Sequence, residues 1–232
     1  MTRAQSHVVG VALLLAVTVV AMGTLTASVG TVVESGTGRA DAARVADSFE
    51  SLFGTSVGRG RGTVAFTDGQ LHAVRREVRV LDGDGVVATV PANALAWSDG
   101  TRGVTYAAGA VVVETAAGAA FDRSPALVAV DDRTLVVGVR AVNGSVDVAD
   151  VDGAAVTVRT TVTRRERRLG SGEWRVAVET STPRPWAAYL RDRLGTVSRR
   201  DIDGDGTPSV VAAAGNRSAV LIVHRQEVRT GG

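Results

Sequence analysis

The strongest constraint on this chain is a run of 26 residues without a charge, from Val8 to Val33, reading VVGVALLLAVTVVAMGTLTASVGTVV. Arg3 is the only arginine or acid before it, and Glu34 ends it. As a helix the run would extend roughly 39 Å at about 1.5 Å per residue, and a bilayer core takes about 20 apolar residues. The sequence therefore predicts that the chain meets a membrane. The positive-inside rule places Arg3 on the inner side and Glu34, with everything after it, outside the cell.

Roughly 200 residues follow, enough for one domain with its own core. The chain has no cysteine, which excludes a disulfide framework, a zinc-thiolate centre and a cysteine nucleophile. An exported domain of this composition is held by packing alone. Its 26 basic residues, all arginine, stand against 24 acids for a net charge of +2. The pI of about 9.8 thus reflects a small excess rather than a basic field. Aromatics make up 4% of the chain, too few for a base-stacking platform, so no nucleic-acid partner is expected.

Three readings of the N-terminus compete. Residues 8–34 are a single-pass anchor in the first. In the second they are a secretory signal peptide cut near Thr24-Leu25-Thr26-Ala27, although the run is longer than an h-region of about 7–15 residues. In the third, a leader of residues 1–7 precedes an apolar segment that stays on the mature protein. Arg3-Ala4-Gln5-Ser6 followed by His7-Val8-Val9-Gly10-Val11 resembles the processing site and helix start of archaeal type IV pilins, and the chain is similar to haloarchaeal type IV pilin-like membrane proteins of unassigned function. That resemblance implies a cut between Ala4 and Gln5 by a prepilin peptidase. It also implies assembly with other pilin-like subunits through the apolar helix, with the remainder displayed at the cell surface. Val9 takes the position where bacterial pilins carry a glutamate. Gly23 and Gly30, seven residues apart, offer a small-residue seam of the kind that lets helices approach in lipid.

After the run, residues 39–53 (RADAARVADSFESLF) repeat apolar side chains every three or four positions, at Ala42, Val45, Ala46, Phe49, Leu52 and Phe53. This predicts an amphipathic helix packing on a sheet, and residues 35–62 are read as that helix plus a flexible Gly54–Gly62 connection. From residue 63 to 232 the chain alternates short β-like runs with turn signals: Asp68-Gly69, Asp82-Gly83, Asp99-Gly100, Asn143-Gly144, Asp152-Gly153 and Gly170-Ser171-Gly172. Residues 186–194 (WAAYLRDRL) read as a short helix started by Pro185. The expected class is α+β: a long N-terminal transmembrane helix, then a mainly antiparallel meander or sandwich with a short late helix.

The sharpest polar motif is Asp201-Ile202-Asp203-Gly204-Asp205-Gly206-Thr207. It resembles the first half of an EF-hand or dockerin calcium loop: Asp201, Asp203 and Asp205 can converge on one cation, Gly206 permits the turn, and Thr207 offers a backbone oxygen. The bidentate glutamate of such loops is replaced by Ala212. Calcium is the expected cofactor if there is one; the alternative is an acidic turn kept soluble by its charge. Asn143-Gly144-Ser145 and Asn216-Arg217-Ser218 spell glycosylation acceptors at predicted turns. Gly54-Thr55-Ser56-Val57-Gly58 spells a nucleophile elbow but has a helix before it and a loop after it, the wrong context. Arg164-Arg165-Glu166-Arg167-Arg168 reads as a solvated hairpin turn. No catalytic constellation follows from these motifs. The sequence points to a pilin-like or pseudopilin-like structural subunit, the alternative being a membrane-tethered or secreted β-sandwich binding module that takes calcium.

Overall fold

The computed structural model describes residues 36–54, 58–144, 146–150 and 153–231. The apolar run and the processing site at Ala4 and Gln5 lie outside the described residues. The chain divides into two compact units, Met1–Ala40 and Asp41–Gly232, and the second is the one built up below. Helix α1 (residues 36–53) enters it at Asp41. The strands are β1 (Gly58–Phe66), β2 (Gly69–Val74), β3 (Glu77–Asp82), β4 (Gly85–Pro91), β5 (Ala94–Ser98), β6 (Gly103–Ala107), β7 (Ala110–Thr115), β8 (Gly118–Arg123), β9 (Val128–Val130), β10 (Thr134–Asn143), β11 (Asp147–Asp150) and β12 (Ala154–Glu179). Helix α2 (Pro183–Leu194), β13 (Val197–Arg200) and β14 (Ser209–Gly231) complete the chain.

Two sheets result. One runs β4-β3-β12-β14-β10-β9, with β1 added beside β12 and β13 beside β14; the other runs β11-β2-β5-β6-β7-β8. All pairings are antiparallel except β10 with β14. The backbone of the first sheet is the long β12–β14 ladder, which continues through register shifts at Arg168/Gly170 and Trp174/Arg175. Extra residues of this sort bend and twist a strand without ending it.

These observations correct the expected α+β class. The described residues are 63% strand and 16% helix, and among them no helix is long and apolar enough to cross a membrane. The strand content exceeds the expectation because several segments read as turns are strand. Residues 164–172 lie inside β12, and Asn216 lies inside β14 opposite Glu173. A glycine in such a ladder needs only backbone partners, which the neighbouring strand supplies, so local turn chemistry loses to pairing. Strands β2, β8 and β13 are short, at six, six and four residues.

Two apolar clusters fill the unit. One gathers Trp174, Trp186, Leu190, Val137 and Val210 between the first sheet, α2 and the ends of β6 and β7. The other gathers α1 (Val45, Phe49, Leu52, Phe53) with β1, β2, β5, β6, β7, β12 and β14. In it, the Phe53 ring stacks on Tyr106 at 4.4 Å between centroids. The helix sits this close because of a sequence detail in β1. The run Gly58-Arg59-Gly60-Arg61-Gly62 is not a loose connection but an extended strand paired along β12. Its alternation puts glycine inward under the helix and arginine outward. A Cβ at Gly62 would stand 2.6 Å from Leu52 Cδ2, and one at Gly60 would stand 2.6 Å from Thr160 Oγ1.

Helix α2 starts with proline in its first turn and ends at Gly195 (φ 92°), whose N–H donates to the Arg191 carbonyl at 2.9 Å. Trp186 is fully buried and meets Phe121 edge-on at 5.2 Å. The Tyr189 hydroxyl accepts the Val128 N–H at 3.1 Å. The helix therefore closes the sheet against β8 and β9. A groove of about 470 Å³ lies beside it, lined by Phe121, Arg184, Pro185, Tyr189 and Asp192 among others.

Phe53→Ala should cost about 3–5 kcal/mol by deleting a buried ring, read by chemical denaturation followed through tryptophan fluorescence. Val86→Ala, at a side chain 48% exposed, should stay within about 0.5 kcal/mol of the parent.

Candidate functional site

The densest polar chemistry is an ionic cluster where β3, β12 and the β13–β14 connection meet. Arg79 on β3 is 4% exposed. Its guanidinium contacts Glu77 at 2.7 Å, Glu179 at 3.3 Å and Asp203 at 2.5 Å, with Ser209 Oγ at 3.4 Å. Glu179, at the end of β12, is equally buried and has Arg76 as a second cation at 3.9 Å. The planar fork of an arginine suits three carboxylates in this way, where a lysine would not. Burial raises the Glu179 carboxyl above its ordinary value; Arg79 opposes the rise, Asp205 adds to it, and Arg76 and Asp203 act more weakly in opposite senses.

The loop expected to hold calcium forms one side of this cluster. Asp201, Asp203 and Asp205 can each bring an oxygen within 4.8 Å of the others, as can Glu77, Glu179 and Asp203. The loop is already closed from within. Asp201 accepts the N–H groups of Gly204 at 2.8 Å and Gly206 at 3.0 Å, and Asp205 accepts that of Thr207 at 2.7 Å. Asp203 points to Arg79. A cation entering here must compete with a guanidinium for Asp203, and Ala212, in the twelfth position, is buried in β14 with no oxygen on its side chain to offer.

A second constellation surrounds the end of α1. The Phe53 carbonyl, left without a helical partner, receives the Arg140 guanidinium and the Gln226 amide at 3.3 Å. Gln226 Oε1 in turn accepts the Tyr106 hydroxyl at 3.0 Å. Burial pushes the Tyr106 hydroxyl up to about 12, against the pull of Arg140 and of Gln226. His224 is held below its ordinary value by burial first, then by Arg140 and Arg164. A pocket of about 180 Å³ opens here, lined by Phe49, Tyr106, Arg123, Ser124 and Arg140 among others, with Glu50 paired to Arg123 across it. Of its polar groups, Arg140 and, through Gln226, Tyr106 are engaged at the helix end, while Arg123 is engaged with Glu50.

In its second turn α1 is held by Asp41. Asp41 is 1% exposed and accepts the Thr67 N–H at 2.8 Å, the Thr67 hydroxyl at 3.2 Å and Arg44 at 2.7 Å. Asp41 is not among the apolar positions that mark the helix in the sequence; the β1–β2 turn folding back onto the helix gives it its role. The other expected sites stand apart. Asn143 ends β10 half-buried, with Ser145 outside the described residues, while Asn216 is exposed on a paired strand rather than at a turn. Ser56 lies outside the described residues. Arg79 and Glu179 were not singled out from the sequence, since an arginine and a glutamate in alternating strands carry no motif.

Residues 3–229 match the family of unknown function DUF7289, and the chain belongs to that family. No curated protein and no solved structure matches it.

Arg79→Met leaves Glu179 buried with only Arg76, at 3.9 Å, as a cation and should cost about 3–5 kcal/mol. Arg79→Met with Glu179→Leu should lose less, because neither charge is then stranded. Since the folded-state pKa of Glu179 is raised, the folded protein keeps that proton longer than the unfolded chain does. Stability should therefore fall as pH rises from the ordinary carboxylate range through the raised value. Glu179→Gln should flatten that part of a stability–pH profile. Calcium, titrated calorimetrically, should bind no tighter than about 10⁻⁴–10⁻³ M, the range of weak extracellular sites.

Proposed function

We propose that this chain is a type IV pilin-like structural subunit. Its uncharged N-terminal segment inserts in the cell membrane and its β-rich unit is displayed outside. The observation that carries the reading is the clamping of α1. Residues 41–53 follow the apolar run in sequence and are pinned at one end by Asp41 on Thr67, at the other by Arg140 and Gln226 on Phe53. Between these clamps, Val45, Phe49, Leu52 and Phe53 are buried. A subunit held by its N-terminus must carry load into its head, and a helical segment fixed at residues 41 and 53 by polar bonds, with a continuous apolar face between them, is suited to do so. The family match spans the apolar run and the β unit together. The partners are then the membrane, a prepilin peptidase acting between Ala4 and Gln5, and other pilin-like subunits meeting through the apolar segment, with Gly23 and Gly30 allowing close approach.

Mass spectrometry of the mature N-terminus in the native membrane fraction, with and without the prepilin peptidase, tests this. The expected start is Gln5, lost when the peptidase is absent. A start at Met1 or Thr2 in both strains would make the segment a plain anchor. A start near Ser28 in a soluble fraction would make the protein a secreted domain.

A further inference from the structure

The glycine–arginine alternation of β1 has its counterpart on the opposite side of the sheet. Gly60, Gly62, Val64 and Phe66 face α1 and the core with Val158, Thr160 and Val162 of β12 and Gln226 and Val228 of β14, while Arg59, Arg61, Arg159, Thr161, Thr163, Arg225, Glu227 and Arg229 are exposed. The register sets Arg61 opposite Arg159 and Arg159 opposite Arg229. Three arginines thus stand abreast on adjacent strands, about 4.8 Å apart. The next row on that face is Arg59, Thr161 and Glu227, and Thr163 pairs with Arg225 beyond it. Like charges directly opposite one another destabilise a sheet. Yet none of these five arginines has an ion pair or a side-chain hydrogen bond among the described residues, not even with Glu227. Nine other arginines, Arg79 included, lie within 4 Å of a carboxylate; what sets this face apart is the row itself, with three arginines directly opposite one another on adjacent strands.

We propose that this face is a docking surface for a linear acidic polysaccharide whose carboxylates lie across the strands along Arg61, Arg159 and Arg229. The proposal rests on the external placement argued above. Guanidinium groups take carboxylates in bidentate pairs, and the exposed threonines between them supply hydroxyls for a sugar chain. Other occupants fit less well. Among the described residues the exposed large apolar side chains are Val86, Val87 and Val130, which lie on β4 and β9, so the face has no wedge for a bilayer. It carries no aromatic side chain for stacked bases. The acidic loop of a second copy is a poor match because Asp203 is already held by Arg79.

The test uses the full-length chain in zwitterionic detergent on immobilised polygalacturonate. The chain should be retained and then released by salt, as the screening length falls from about 10 Å at 0.1 M to about 3 Å at 1 M. Arg159→Ser with Arg229→Ser should weaken binding about tenfold or more, through the loss of two counterion-releasing contacts. Arg133→Ser with Arg191→Ser, which removes the same charge elsewhere, should leave it near the parent value. Circular dichroism of both variants checks that the fold is kept. The proposal is overturned if the parent is not retained, or if the control pair loses as much as the face pair. It is equally overturned if the face pair releases the chain from duplex DNA, or from phosphatidylglycerol nanodiscs, more than from polygalacturonate. An N-terminus other than Gln5 would sink the pilin-like reading without touching this binding.

Discussion

Everything in the β unit depends on how close α1 comes to β1. Two glycines, Gly60 and Gly62, remove the side chains that would otherwise hold Leu52 and Thr160 away. With the helix lowered onto the strand, Phe49 and Phe53 reach Tyr106, and one apolar cluster joins both sheets. The polar clamps at Asp41 and Phe53 then orient a contact that packing alone leaves free to slide. Buried polar bonds of this kind add modest net stability but are costly to break, so they serve position more than strength.

Two groups of arginines stand in contrasting environments. Arg79 and Arg140 are largely withdrawn from water and matched to carboxylates or to a helix end, where partial negative charge gathers. The arginines of the outer β1–β12–β14 face are left in water, side by side and unmatched. The first group makes the fold, and the second is what the fold holds out to its surroundings. A net charge of +2 over the whole chain conceals this separation, because charge is distributed by strand parity and not by position in the sequence.

The acidic loop shows how a motif changes meaning with its neighbours. Its spacing of carboxylates and glycines matches the first half of a calcium loop, and the internal hydrogen bonds of Asp201 follow from that spacing. What the spacing does not contain is Arg79, which lies 124 residues from Asp203 in sequence and brings a positive charge of its own to the carboxylates. The same holds for Asp41, whose polar partner is a turn 26 residues away.

The sequence by itself determined the uncharged run, the amphipathic face of α1, the short helix after Pro185 and the alternation of short strands with turns, because each is written in local periodicity or local turn chemistry. Tertiary structure alone decided that β12 runs unbroken through the glycines and arginines of residues 164–172, paired along β14, since cross-strand hydrogen bonds outweigh weak local turn preferences. It alone also decided that Gly58–Gly62 is strand, that Asp41 and Glu179 are buried, and that Arg61, Arg159 and Arg229 stand in one row. Each of these depends on which residue lies opposite which in the register, and that is settled only when strands far apart in sequence are brought together.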